Sequence, residues 1–182
     1  ATELQTAQGA QAVVGAAAAS VLSRSARAVR DSRLGVALPR AVGPGPTASE
    51  LAGLSTPGVS PLVTPVEAFY RIDTALAAPQ VATSDWSLRI HGMVENAFEI
   101  DFAELLTLPM IERMTTLSCV SNEVGGDLIG NQVWLGHPLR DLLARARPAA
   151  DADMVLSASA DGWTAGTPLE ALTDPGRDSL LA

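Results

Sequence analysis

Prolines and glycines crowd one stretch of the chain and restrict what it can form there. Four glycines and six prolines fall between positions 39 and 65, the prolines being Pro39, Pro44, Pro46, Pro57, Pro61 and Pro65. Proline fixes φ and lacks a backbone donor, so this density is incompatible with a long helix or a central strand. We therefore predict a linker over residues 39–60, either extended or draped over a domain surface, and a folded domain over residues 61–182.

The balance of charge changes across this linker. Residues 1–40 hold five arginines against two acids, whereas residues 41–182 hold seven arginines against eighteen acids, and the formal charge of the chain is −8. Nucleic-acid recognition needs clustered cations, so we expect no nucleic-acid partner. Cys119 is the single cysteine, which excludes an intrachain disulfide and leaves the chemistry of a lone thiol.

The first 38 residues allow two interpretations. Residues 4–23 are uncharged and rich in alanine, and arginines spaced by three follow them. This pattern is typical of the end of a membrane span followed by a basic segment. Alanine drives membrane insertion weakly, however, so a surface helix or a flexible lead-in stays open as the alternative. Because the chain opens with Ala1 and ends at Ala182 without a polar tail, we interpret it as a piece of a longer protein.

Short alternating elements follow the linker. Strands are predicted over residues 86–94, 98–100, 113–120 and 154–160, and helices over 102–106, after Pro138 as far as Pro148, and after a capping box at Thr167 to Glu170. Asp101 and Glu104 have the spacing of a capping box. Short strands mixed with short helices predict an α+β domain rather than regular βαβ units.

Cys119 is the strongest candidate for chemistry. It lies at the exit of the predicted strand 113–120, and Gly125 and Gly126 follow it in a loop. An accessible thiolate is both a nucleophile and a soft metal ligand, whereas a buried cysteine is an inert small hydrophobe. His91 and His137 lack the spacing of a metal pair, and we interpret both as structural.

Five segments in collinear order resemble the molybdopterin-dependent oxidoreductases of the sulfite oxidase fold, including membrane-anchored bacterial members. The segments are residues 62–73, 86–94, 116–126, 134–143 and 161–165, and together they span roughly residues 60–175. The resemblance implies a sulfite oxidase-type molybdopterin-binding fold, incomplete at its C-terminus, and a molybdenum–molybdopterin cofactor. The family's remaining pterin ligands lie C-terminal to this region.

The resemblance also implies roles for individual residues. Cys119 occupies the place of the family's metal-binding thiolate, which suits a soft ligand. Tyr70 and Arg71 fall in a run that contacts the pterin, although an asparagine that often precedes this run is absent here. Ser159 falls where a relative has a hydroxyl residue that touches the cofactor, and an ordinary polar strand residue is the alternative.

The implied activity is oxygen-atom transfer with the metal cycling between Mo(VI) and Mo(IV). The resemblance further implies an unidentified electron-transfer partner and a place at the bacterial cell membrane, with the side of the soluble domain left open. Sulfite oxidases carry arginines soon after the metal-binding cysteine, whereas Glu123 stands there in this chain. We therefore expect a neutral or protein-bound S-oxide or N-oxide as substrate rather than free sulfite.

Four alternatives stay open at this point. Glu123 can pair with an arginine and be merely structural. The protein can oxidise sulfite itself, or it can be a membrane-tethered binding module that keeps the fold without the metal. Cys119 can also act as a thiol redox sensor without any metal.

Overall fold

The computed structural model describes residues 27–53, 56–73, 75 and 79–182. It divides into two compact units, one made of the described residues up to Leu38 with Gln80–Ser87, the other of Pro39–Pro79 with Leu88–Ala182. In the first unit residues 27–34 are helical, and Arg33 donates to the Val81 carbonyl at 3.0 and 3.2 Å.

The membrane span predicted over residues 4–23 lies outside the described residues and stays a prediction. In the part of the chain that the structure covers, helices are too short or too polar to cross a bilayer.

Short strands and helices alternate along the rest of the chain. In order they are α1 (Ala48–Leu51), a 3₁₀ turn (Val66–Ala68), β1 (Ser87–Ile90), β2 (Phe98–Asp101), α2 (Phe102–Thr107), β3 (Ile111–Ser118), β4 (Ile129–Pro138), α3 (Leu139–Ala146), β5 (Met154–Ala158), β6 (Thr164–Pro168), α4 (Leu169–Thr173) and β7 (Leu180–Leu181). The described strands form three small sheets, β1-β2, β3-β4-β7 and β5-β6. This mixture confirms the predicted α+β class.

The β3–β4 pair is the longest ladder of the described residues. It runs antiparallel from Ile111 opposite Gly136 to Ser118 opposite Ile129, and β7 adds to the far edge of β4. The prediction that Cys119 sits at a strand exit is confirmed, because β3 ends at Ser118.

β4 is absent from the sequence-based predictions, because its two glycines weaken the strand signal. Both glycines allow close approach of another group. A Cβ on Gly130 would lie 2.5 Å from the ring of Phe69, and one on Gly136 would lie 2.7 Å from the carbonyl oxygen of Leu181.

The core of the second unit joins β2, α2 and α3. Its buried apolar side chains are Ile100, Leu105, Met110, Leu142, Leu143 and Ala146. Asp101 Oδ1 caps α2 by accepting from the Glu104 amide at 2.7 Å, which is one half of the predicted capping box, whereas the Glu104 carboxylate pairs with Arg145. His137 is buried, and its Nδ1–H donates to the Pro109 carbonyl at 2.8 Å, which confirms its structural role.

The capping box predicted at Thr167 to Glu170 does not form, so this local prediction is wrong. α4 begins at Leu169 after Pro168 as N-cap and has no side-chain cap bond, because Thr167 instead pairs with Val155 in the β5–β6 hairpin. The proline-rich segment also contains α1, whose capping box joins Thr47 and Glu50. The density of prolines around this box conceals its local helix signal.

Asp178 links strand β3 and helix α3 through two ion pairs. Its carboxylate oxygens accept from Arg140 Nη1 of α3 and from Arg113 Nε of β3, each at 2.7 Å. These hydrogen bonds, the one from Arg140 first, hold the pKa of Asp178 below its ordinary value. Asp178 has φ of +46°, a left-handed conformation that asparagine also tolerates.

A double-mutant cycle tests the close approach at Gly130. We expect Gly130→Ala to lower the free energy of unfolding by about 1–3 kcal/mol, because the new methyl group clashes with the ring of Phe69. In a Phe69→Ala background the same change should cost much less, because the ring is gone. Equal costs of Gly130→Ala in both backgrounds, measured by urea unfolding, would contradict this account.

The pH dependence of stability tests the role of Asp178. The stabilisation from a lowered carboxyl pKa is fully present above the unfolded value of about 3.9 and is lost as pH falls through the folded pKa. We therefore expect Asp178→Asn to lower the free energy of unfolding at pH 7, and its difference from wild type to shrink below about pH 4. Asp73→Asn is the control, because Asp73 pairs with an Arg71 side chain that is 72% exposed. Equal effects of the two variants at pH 7 would contradict the assignment.

Candidate functional site

A loop over residues 119–128 holds Cys119 at the end of β3. The Cys119 amide donates to the Leu128 carbonyl at 2.9 Å, which closes the base of the loop. Asn122 braces it from inside, since its amide donates to the Cys119 carbonyl at 3.0 Å and its Oδ1 accepts from the Leu128 amide at 2.9 Å. The position of Cys119 is thus defined by its own backbone and by the loop that follows.

Cys119 is half-buried, and its sulfur lies within hydrogen-bond distance of a hydroxyl group. Its Sγ lies 3.0 Å from Oγ of Ser121, two residues further on. The side-chain hydrogen bond with Ser121, followed by the effect of the Ser121 amide, lowers the pKa of the Cys119 thiol. The thiolate is the form of cysteine that binds metals, so this environment favours a soft ligand.

The outer surface of the loop is apolar and acidic. Val120 and Val124 are fully exposed, and Glu123 and Asp127 are exposed as well. Within the described ranges neither acid forms an ion pair, so the structure shows no arginine partner for Glu123. The loop that follows Cys119 therefore carries negative charge that no arginine of the described residues compensates.

The segment carrying Tyr70 and Arg71 is fixed to β4 near this loop. Thr64 exchanges two bonds with the Asn131 backbone, at 2.8 and 3.0 Å. Further along, the ring of Phe69 lies against Gly130, which pairs with Leu117 of β3. Since Leu117 precedes Cys119 by two residues, the segment crosses β4 at the end where Cys119 leaves β3.

Tyr70 and Arg71 differ in their surroundings. The Tyr70 ring stacks on Phe69 with centroids 5.5 Å apart. Arg71 Nε donates to Asp73 at 2.8 Å, and the Arg71 side chain is largely exposed. A weak surface pair of this kind leaves the guanidinium available to an anionic group.

Trp134 is a residue that the sequence analysis did not identify as a candidate. Its indole nitrogen, Nε1, is buried and makes no hydrogen bond to the residues that the structure describes, and its ring packs edge-on against Phe69 with centroids 6.0 Å apart. It helps to line a surface cavity of about 390 Å³ together with Val66, Phe69, Gln132 and Val133. Buried N–H groups without partners are uncommon, so Trp134 brings an unsatisfied donor to the lining of this cavity.

Ser159 lies in the turn between β5 and β6. Its hydroxyl donates to Asp161, and its amide donates to the Trp163 carbonyl at 2.9 Å. Among the residues that the structure describes, the hydrogen bonds of Ser159 all stay within this turn. The structure thus brings Tyr70 and Arg71 to the Cys119 end of the β3–β4 hairpin and ties Ser159 to a separate hairpin.

These residues fit a metal whose ligands come mostly from an organic cofactor rather than from the protein. The described residues hold no cluster of three or more His, Cys, Asp or Glu side chains able to bind a metal, so Cys119 stands as a single protein thiolate. A metal held by the sulfur atoms of an organic cofactor needs few protein ligands, and thiolate suits a sulfur-rich centre. The unpartnered indole N–H of Trp134 beside its cavity suits a polar organic group.

Comparison with known proteins gives a family match, together with similar proteins among curated sequences and among solved structures. A family model described as an oxidoreductase molybdopterin binding domain matches residues 75–182. Cys119 and Ser159 lie inside this range, whereas Tyr70 and Arg71 precede it.

One curated relative is the uncharacterized oxidoreductase YuiH of Bacillus subtilis (strain 168). It is 27% identical over 85 residues, which cover 47% of this chain and 41% of that protein. The chain thus matches about two fifths of the length of this relative. The crystal structure of the sulfane dehydrogenase SoxCD from Paracoccus pantotrophus aligns with a TM-score of 0.47 and 26% identity, covering 53% of this chain and 29% of that one.

The family match covers more than half of the chain and contains the whole Cys119 loop. It confirms the resemblance noted from the sequence and the class of cofactor that the resemblance implied. The chain belongs to the family of oxidoreductase molybdopterin-binding domains, whose cofactor is molybdenum–molybdopterin.

Proposed function

We propose that the full-length protein is an oxidoreductase that transfers an oxygen atom to or from a neutral or protein-bound S-oxide or N-oxide. The observation that carries the proposal is the Cys119 thiol, held in a braced loop with a lowered pKa inside the family-matched range. When bound, the molybdenum–molybdopterin cofactor would supply two-electron oxygen-atom transfer.

The residues of this chain would hold the cofactor from two sides. Cys119 would bind the metal directly, and the Cys119–Leu128 backbone bond would fix the direction of its sulfur. Tyr70 and Arg71 would contact the pterin from the segment that crosses β4, and Trp134 Nε1 would find its missing acceptor there. Ser159 is the least supported member of this set, because its hydroxyl already has a partner in its own turn.

The loop surface would select the substrate. Val120 and Val124 are exposed apolar side chains of the loop that follows Cys119, and Glu123 lies between them in sequence with an exposed carboxylate. Two like unit charges 4 Å apart repel by about 1 kcal/mol in water and about 4 kcal/mol near a protein surface. An anion such as sulfite therefore meets a cost that a neutral S-oxide or N-oxide avoids.

The proposed reaction also requires a redox partner. Oxygen-atom transfer moves two electrons, so an electron donor or acceptor must restore the starting state after each turnover.

Metal analysis tests the role of Cys119. We expect full-length protein from a cofactor-competent host to contain about one molybdenum per chain, and Cys119→Ala to lose turnover, because a direct bond to the metal is removed. Ser118→Ala is the matched control, since the Ser118 hydroxyl contacts the Cys119 carbonyl at 3.4 Å rather than the sulfur. Wild-type protein without molybdenum would favour the non-catalytic binding module, and turnover that survives Cys119→Ala would contradict the assignment of the ligand.

Steady-state kinetics test the role of Glu123. We expect kcat/KM for a neutral sulfoxide to exceed that for sulfite, and Glu123→Gln to raise kcat/KM for sulfite by about fivefold, because the repulsion of about 1 kcal/mol expected for a separation of about 4 Å in water is removed. The sulfoxide value should change by less than about twofold, since a neutral substrate does not feel the charge. Glu99→Gln is the matched control. It removes the same charge from an exposed position of β2 and should change neither value. Efficient sulfite oxidation that Glu123→Gln leaves unchanged or weakens would refute the proposed selectivity.

A further inference from the structure

Ser121 has a role that neither the family match nor the resemblance assigns. We propose that Ser121 is a positioning residue whose hydroxyl donates a hydrogen bond to the Cys119 sulfur and raises the reduction potential of the metal bound there. The inference rests on the proposed function, because it concerns the same metal ligand. It goes further in assigning control of the potential to one side chain.

The geometry selects this hydroxyl. Ser121 Oγ lies 3.0 Å from Cys119 Sγ, and among the described residues it has no other hydrogen-bond partner. The bond from the Asn122 amide to the Cys119 carbonyl holds the intervening turn, so the two side chains stay on the same side of it. Ser121 is itself exposed and has no packing role that would otherwise explain its position.

The direction of this hydrogen bond follows from the state of the sulfur. In a free thiol either atom can donate, because both carry a proton. A metal-bound sulfur is a thiolate and has no proton, so the hydroxyl of Ser121 becomes the donor. Metal binding thereby fixes a contact that is ambiguous in the free protein.

The effect on the metal follows from the electron density at the sulfur. A hydrogen bond to a ligating thiolate draws electron density away from the metal, which stabilises the reduced state and raises the reduction potential. Ser118 provides a built-in comparison, because it adjoins Cys119 in the chain but directs its hydroxyl at a carbonyl oxygen. A general effect of nearby hydroxyl groups would appear at both serines, whereas a contact at the sulfur appears at Ser121 alone.

The test is a redox titration of the full-length, molybdenum-loaded protein, with the Mo(V) signal followed by electron paramagnetic resonance. We expect Ser121→Ala to shift the midpoint potential to more negative values and to change the Mo(V) signal. Ser121→Thr keeps the hydroxyl and should resemble wild type. Ser121→Val has the shape of Ser121→Thr without the hydroxyl, and it should resemble Ser121→Ala. Ser118→Ala should leave both readouts unchanged.

Molybdenum content is measured for each variant beside the potential. If Ser121→Ala and Ser121→Val bind less metal than Ser121→Thr, the Mo(V) signal still reports the potential of the metal-containing fraction, and that potential should still be shifted to more negative values. A potential that is unchanged in Ser121→Ala, an equal shift in Ser118→Ala, or loss of metal from Ser121→Thr as severe as from Ser121→Ala would each overturn the proposal. Absence of molybdenum from the wild-type protein would instead refute the proposed function, so the two failures are distinguishable.

Discussion

The antiparallel pairing of β3 with β4 is the interaction on which the rest of the described site depends. Its register places Ser118 opposite Ile129, and the Cys119–Leu128 bond then continues the ladder into the loop. The same strand β4 receives the segment around Thr64 and Phe69 on its surface and β7 along its edge. A shift of this register would move the thiol, its loop and the neighbouring aromatic segment together.

Two glycines make these approaches to β4 possible. Gly130 lets the Phe69 ring lie on the strand, and Gly136 lets the backbone of Leu181 approach. Glycine weakens a strand because its backbone loses more conformational entropy on folding, and because it has no side chain to pack. The strand therefore loses intrinsic stability at the two positions where tertiary contacts require space, and those contacts compensate for it.

Charge has separate structural and functional positions in this chain. Asp178 accepts hydrogen bonds from two arginines of different elements, so its negative charge is paired in the folded state. The acids of the Cys119 loop are exposed and make no ion pair in the described part of the chain. An unpaired carboxylate next to a proposed reaction centre affects which molecules approach it, whereas a paired one affects the fold.

The sequence by itself determined the local elements and the place of Cys119. Strand β2, helices α2 and α3, the Asp101 cap and the place of Cys119 at the exit of β3 follow from patterns within a few residues, and the structure confirms them. The family and the class of cofactor were also accessible, because the recognised motifs stand in order along the chain.

Only the tertiary structure decided the features that depend on contacts beyond one turn of chain. β4 and the unpartnered Nε1 of Trp134 are defined by groups distant in sequence, such as Phe69, and periodicity carries no information about such partners. The contact between Ser121 and the Cys119 sulfur spans two residues, yet it depends on the loop closure from Cys119 to Leu128. A pattern of residue types records propensity, whereas the direction of a side chain is set by the packing and hydrogen bonds that surround it.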